Sequence, residues 1–356
     1  MGAVESLCWR KARMPRGDGG RNGLLIDAKG VQALAIHKVA FLDVFAPEML
    51  DEVRSQLPEG FELVTVKTYD EGEKLDVVSD ADFILAGWAS VPAQLLDAAP
   101  RLKLIQKWGI GYEKIDVKAA AEKGIPVAIT AGANAVPVAE HTLLLMLAVS
   151  KRLPYVDHAL RQGRWLKAEI RAVTYQLNGT TVGLVGFGNI GREVAKRVRA
   201  FNAHVLFYDK VRPSTRIEEQ LGVTFCPLDD LLARADIVSV HVPLLPETTR
   251  LIDKRAFSLM KPSAILINAS RGGVVDEGAL IEALKSNRLR GAGIDVFEVE
   301  PAEANNPLFA MENVVVTPHS AGGVKDNTAN MARHAFRNML KITKGEPLDE
   351  ADLIRP

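Results

Sequence analysis

A chain of 356 residues, 47% hydrophobic and 25% charged, has the composition of a globular protein and the length for about two domains. Its 44 basic residues balance its 44 acidic ones, so it carries no electrostatic footprint for a nucleic-acid or membrane-surface partner, and a small neutral or anionic metabolite is the expected ligand. Two cysteines, Cys8 and Cys226, lie without CxxC or metal-ligand spacing, which excludes a disulfide framework, predicts no metal site and fits a reducing, cytoplasmic location; no run reaches the roughly eighteen apolar residues of a membrane span.

Residues 1–36 hold Arg10, Lys11, Arg13, Arg16 and Arg21 among glycines, with few acids and no apolar period. That composition predicts a disordered extension, with a targeting peptide as the alternative. Apolar runs follow at 38–43, 61–66, 82–87, 102–107 and 126–130, each of strand length and separated by helix-length segments, the pattern of a parallel α/β sheet. Between the last two runs, Trp108-Gly-Ile-Gly-Tyr-Glu-Lys-Ile-Asp116 places glycines just after a strand end, where a doubly wound sheet presents ligand loops; a turn that only caps a helix fits the same residues. Residues 133–152, with Asn134, Pro137, Glu140 and His141 ahead of the apolar run from Leu143 to Val149, predict a long helix with a polar start. With Tyr155 and Trp165 beyond it, this segment is expected to be both a spine between domains and the surface of a homodimer.

The strongest signal is Thr181-Val-Gly-Leu-Val-Gly-Phe-Gly-Asn-Ile-Gly191, in which an apolar run meets Gly186-x-Gly188-x-x-Gly191 and apolar residues then recur at helical spacing through Ile190, Val194, Ala195 and Val198. Strand, tight turn and helix in that order offer a pyrophosphate both a close backbone and the N–H groups of a helix N-terminus. The next apolar run, 204–209, ends in Asp209, at the distance where an acid grips an adenosine ribose. Further strands are predicted at 222–225, 237–242, 264–270, 292–297 and 313–317, and polar residues cluster at their ends: His241, Asn268, Ser270, Arg271, Asp295, Glu300 and His319. Topology alone brings strand ends to one crevice. The last helix, 325–344, carries Ala329, Ala332, Phe336, Met339 and Leu340 at helical spacing and is expected to return to the first domain.

Within that set Arg271 offers a planar fork of donors suited to a carboxylate, or to the oxygen of a neighbouring carbonyl. His319 with Glu300 forms a proton-transfer pair in which the acid fixes the tautomer. Taken alone, each also fits a surface ion pair or a structural histidine.

The chain resembles the D-isomer-specific 2-hydroxyacid dehydrogenases, among them phosphoglycerate dehydrogenase and the hydroxypyruvate and glyoxylate reductases. The likeness runs from about Val39 to Leu340 through the glycine motif, the 268–280 segment, Gly291-Ala-Gly-Ile-Asp-Val-Phe-Glu-Val-Glu-Pro301 and Pro318-His319. It implies an α/β fold of two doubly wound parallel-sheet domains, a Rossmann NAD-binding domain (134–324) inserted in a flavodoxin-like substrate domain (37–133 and 325–356). It implies NAD as cofactor and a small 2-hydroxy or 2-oxo acid as substrate. Arg271, Glu300 and His319 become the catalytic set, and Ile110, Gly111, Arg271 and His319 the substrate site. Gly186, Gly188, Asn189, Ile190, Gly191 and Asp209 become the phosphate and ribose site. His241, Pro243, Thr248, Ala269, Ser270, Arg271, Asp295, His319 and Gly322 follow along the rest of the cofactor. The superfamily also contains dinucleotide-sensing corepressors, so an NAD(H)-sensing binding protein is the alternative of another class. Relatives often carry Asp-Asn where this chain has Glu113-Lys114, so the loop does not transfer substrate identity. The chain ends just past the last helix, and serine feedback through appended regulatory domains is not expected.

Overall fold

The computed structural model describes residues 36–355, so the expectation for 1–36 lies, save for Ile36, outside the described residues. Strands β1 (His37–Phe41), β2 (Phe61–Thr65), β3 (Phe83–Ala86), β4 (Leu104–Lys107) and β5 (Val127–Ala128) form one sheet. Strands β6 (Thr181–Val185), β7 (His204–Tyr208), β8 (Val223–Phe225), β9 (Ile237–Val240), β10 (Ile265–Asn268), β11 (Gly291–Ile294) and β12 (Val314–Val316) form a second. A short strand β13 (Leu353–Ile354) joins the first sheet beside β5. The orders are β13-β5-β4-β3-β1-β2 and β12-β11-β10-β9-β6-β7-β8. Both are doubly wound, with the strand order reversing between β1 and β3 in the first sheet and between β6 and β9 in the second, so each has its ligand crevice there.

Among the described residues the pairings are parallel, as the sequence predicts, except at β13, a C-terminal edge strand the sequence did not foresee, which lies antiparallel to β5. A two-residue strand has no period for a sequence to display. Parallel strands covered on both faces need continuous apolar runs, and Phe83, Ile84, Leu85 and Ala86 are all fully buried. The predicted runs overshoot where the chain turns into a ligand loop: 264–270 shortens to β10, and residues 269–271 leave the sheet.

The helix expected over 133–152 is Ala135–Lys151 and stops at Arg152, whose φ of 51° is left-handed; a second helix, Leu153–Arg161, restarts there. Leu145, Met146 and Val149 bury one side of the first helix in the core of the second sheet, while Val136 and Leu144 stay exposed on the other. The last helix is Thr328–Thr343, preceded by a 3₁₀ turn at Lys325–Asn327. Its Ala332, Ala335, Phe336 and Met339 share a core with Val39, Phe41, Phe83 and Leu104 of the first sheet. Asp352, almost fully buried, accepts Ala131 N–H at 3.0 Å and pairs with His334 Nε2 at 2.7 Å, which ties the C-terminal tail to the segment leading out of β5.

Candidate active site and dinucleotide cradle

The cradle is built by the turn after β6. Gly186 adopts φ 100°, and a Cβ there would stand 2.7 Å from the His241 backbone, so both conformation and space require glycine. Gly188 is the N-cap of the helix Asn189–Arg199 and its missing side chain faces open space, while a Cβ on Gly191 would meet Gly186 O at 2.3 Å. The helix N-terminus, with no side-chain cap, leaves its first N–H groups to an anion. Ile190 packs on Val138, Ala269 and Ala321.

At the end of β7, Asp209 accepts Phe187 N–H at 2.6 Å and Val211 N–H at 2.9 Å, which fixes its carboxylate beside the glycine turn. The two nearby cations are already engaged. Arg212 donates to both oxygens of Glu218, at 2.6 and 2.9 Å, and lies over Phe225; Lys210 Nζ is 3.3 Å from Glu247. After β9, burial pulls the His241 imidazole down to about 4, so it stays neutral. Its Nε2 lies 2.9 Å from Ser239 Oγ, and its buried Nδ1 has no hydrogen-bond partner among the described residues. Thr248 Oγ1 ties the following turn, donating to Pro243 O at 2.6 Å and accepting Leu245 N–H at 2.7 Å. An open glycine turn, an acid fixed beside it and an orphaned buried imidazole nitrogen fit a dinucleotide.

Ser270 and Arg271 follow β10 on a turn organised by buried Asn268, whose Oδ1 accepts Ser270 N–H at 3.1 Å and whose Nδ2 donates to Arg271 O at 3.0 Å. Arg271 crosses to the loop after β4: Nε donates to Glu113 Oε1 at 2.8 Å, Nη1 to Ser270 O at 2.6 Å, and Nη2 occupies the notch over Gly111, 1.4 Å from where a Cβ would stand. Arginine and glycine loop therefore meet across the two sheets. The loop itself is pinned by Thr130, whose Oγ1 accepts Gly109 N–H at 2.9 Å.

His319 follows β12 with φ 52°, a left-handed conformation uncommon for a residue with a Cβ. Asp295, fully buried at the end of β11, holds it there: its carboxylate accepts Thr317 Oγ1 at 2.6 Å, Ser320 N–H at 2.9 Å and Ala321 N–H at 3.0 Å, and its carbonyl accepts His319 N–H at 2.7 Å. His141 Nε2 adds a contact to Thr317 Oγ1 at 3.0 Å. So placed, His319 Nδ1 meets Glu300 Oε2 at 2.8 Å. Burial pushes the Glu300 carboxyl up, but His319, the Phe297 N–H on Oε1 and the Arg271 charge outweigh it and hold it below the usual range. The carboxylate is ionised at neutral pH and accepts only, so in the neutral ring Nδ1 carries the proton and Nε2 is left bare. Gly322 lies farther along the same segment, against Asn134.

Four contributors were not foreseen in the sequence. Glu113 orients Arg271. Lys107, the last residue of β4, is pulled down to about 8 by burial, with Arg271 and Lys114 adding repulsion and Asp43 and Glu113 opposing it. Asp43, at the end of the first apolar run, accepts the N–H groups of Gly87, Trp88 and Ala89, and so sets the turn carrying Trp88, whose ring lies edge-on 4.8 Å from His319. A lysine closing a buried strand is the one signal the sequence offered for Lys107.

The family described as D-isomer specific 2-hydroxyacid dehydrogenase, NAD binding domain, matches residues 143–321. The chain belongs to the D-isomer specific 2-hydroxyacid dehydrogenases. It is 37% identical over 316 residues to a D-3-phosphoglycerate dehydrogenase of Archaeoglobus fulgidus, covering 88% of this chain and 59% of that one. It is 37% identical over 298 residues to a glyoxylate reductase of Korarchaeum cryptofilum, covering 82% of this chain and 90% of that one. The TT0316 protein of Thermus thermophilus superposes with a TM-score of 0.78 at 33% identity, covering 89% of this chain and all of that one. The chain thus spans about three fifths of the phosphoglycerate dehydrogenase it matches. The cofactor is NAD, in keeping with the NAD binding domain that the chain matches.

Sequestration of Arg212 by Glu218 bears on cofactor choice. Glu218→Gln should release a cation toward the ribose and raise the affinity for NADPH relative to NADH by roughly threefold or more, read by fluorescence titration of both; an unchanged ratio would leave the pair without influence on the cofactor.

Proposed function

We propose that the chain interconverts a D-2-hydroxy acid and its 2-oxo acid with NAD, as a phosphoglycerate dehydrogenase-like or glyoxylate reductase-like enzyme. The observation that carries this reading is the Glu300–His319 contact of 2.8 Å in the same cleft as Arg271. NAD, when bound, supplies the hydride acceptor, and NADH the donor. Gly186, Gly188, Asn189, Ile190 and Gly191 hold its pyrophosphate and Asp209 its adenosine ribose. His241, Pro243, Thr248, Ala269, Ser270, Asp295 and Gly322 serve the remainder.

Arg271 anchors the substrate carboxylate beside residues 110–111 and stabilises the negative charge that grows on the carbonyl oxygen during reduction. His319 delivers the proton that this oxygen gains, from Nε2, and takes one from the hydroxyl in the reverse direction. Glu300 holds the ring in the tautomer that leaves Nε2 free for this exchange. Lys107 adds positive charge behind the carboxylate site.

In this reading residues 37–133 and 325–356 form the substrate domain and 134–324 the dinucleotide domain. A homodimer across the face carrying Val136, Leu144, Leu153, Leu160 and Trp165 is supported by their exposure, 72% for Trp165. A cytoplasmic location is supported by the free Cys226. No helix among the described residues is long and apolar enough to cross a membrane.

His319→Ala should lower kcat roughly a hundredfold or more while the NADH dissociation constant changes less than about twofold, and Glu300→Gln should cost kcat about tenfold or more. Near-normal turnover by His319→Ala would contradict the assignment. Because Lys107 is held down to about 8, it loses its charge as pH rises through that value. KM for an anionic 2-oxo acid should therefore climb above pH 8, and Lys107→Met should remove that inflection; a KM profile identical in the two proteins would refute the role.

A further inference from the structure

Beside His319 the cleft opens into a hollow of about 760 Å³. Its walls come from both sheets: Tyr69 and Trp88 from the first, and Phe297, Phe309, Val316 and Pro318 from the second. Three of these side chains are large and stay open to solvent, Tyr69 at 50%, Trp88 at 44% and Phe309 at 43%. Exposed aromatic side chains converging from two sheets on one concave surface mark a binding pocket for an apolar group.

Among the described residues the polar groups in these walls are few. Thr317 Oγ1 donates to Asp295, and Tyr69 adds one phenol. Glu300 and His319 hold one another, and Lys114 Nζ lies 5.0 Å from the centre of the Trp88 ring. Among the described residues, a phosphate dianion on a small 2-oxo acid would find one lysine and the Tyr69 phenol as free donors on a largely apolar wall, with Glu300 close by. Tight phosphate recognition uses several N–H donors or arginine forks, which the hollow does not offer. Arg271 is not among the lining residues and is committed to Glu113 and to the carboxylate site.

We propose that this hollow is the pocket for the substrate's side chain, and that the preferred 2-oxo acid carries a bulky aromatic or other apolar group at C3 rather than a phosphate or a bare hydrogen. The inference rests on the reading of the site as a 2-oxo acid reductase and specifies its substrate class. Trp88 has two tasks here: its edge packs on the His319 ring, and the rest of it forms a wall of the pocket. Phe309 stands farther out, edge-on to Phe297 at 5.6 Å, and acts on the side chain alone.

The test is steady-state reduction, with NADH, of phenylpyruvate, glyoxylate, hydroxypyruvate and 3-phosphohydroxypyruvate by the full chain. Each buried methylene equivalent contributes about fourfold, so kcat/KM for phenylpyruvate should exceed the others by at least about tenfold. Phe309→Ala should lower the phenylpyruvate-to-glyoxylate ratio about fivefold. A preference for glyoxylate, hydroxypyruvate or the phosphorylated acid, or a ratio unmoved by Phe309→Ala, overturns the pocket while leaving the reductase reading intact. No turnover of any of the four overturns both.

Discussion

The hydrogen bond between Glu300 and His319 depends on a backbone that would not hold itself. His319 sits at φ 52°, and a residue with a Cβ remains there only where its surroundings over-determine it. Asp295 supplies that constraint by gathering the hydroxyl of Thr317 and the N–H groups of Ser320 and Ala321 onto one buried carboxylate. Leaving any of these donors buried and unpaired would cost about 1–3 kcal/mol, enough to hold a single strained residue in place. The proton chemistry proposed for His319 thus depends on a residue that need not touch the substrate.

The same device recurs where strands of the first sheet meet the cleft. Asp43 ends the first strand run and gathers the N–H groups of the 87–89 turn, which presents Trp88 to His319. Asp352 does likewise for the segment after β5. Each carboxylate converts an irregular loop, whose N–H groups would otherwise need water, into a fixed wall. Arg271 then spans the two sheets through Glu113, so the two halves of the cleft are joined by a charge-assisted contact as well as by the Trp88 ring on His319. Such a joint is compatible with motion between the halves, since it can be exchanged for a substrate carboxylate.

How much of this could be read in advance follows from how local each feature is. Strands buried on both faces had to be apolar runs, and the glycine turn had to carry Gly186 at positive φ, so both were visible in the chain. Arg271, Glu300 and His319 were visible because doubly wound topology brings strand ends together whatever lies between them. Glu113 was not: it lies 158 residues from Arg271, and nothing near it in sequence announces the pairing. Asp43 looked like the end of a strand because its partners lie some 44 to 46 residues on. The break at Arg152 carried a signal two residues on, in Pro154 of the second helix's first turn, whereas β13 was too short to show a period.

The proton path depends on which nitrogen of His319 carries the proton when the ring is neutral. An acceptor-only carboxylate at Nδ1 dictates the Nδ1–H tautomer, leaving Nε2 as the atom that, in the proposed mechanism, exchanges a proton with substrate. Long-range ¹H–¹⁵N correlation spectra of histidine-labelled protein, with His319 assigned by its loss in His319→Gln, report the tautomer directly. The Nδ1–H pattern is the predicted result. A neutral ring protonated at Nε2, with Nδ1 bare, would contradict the Glu300 contact and the proton path built on it.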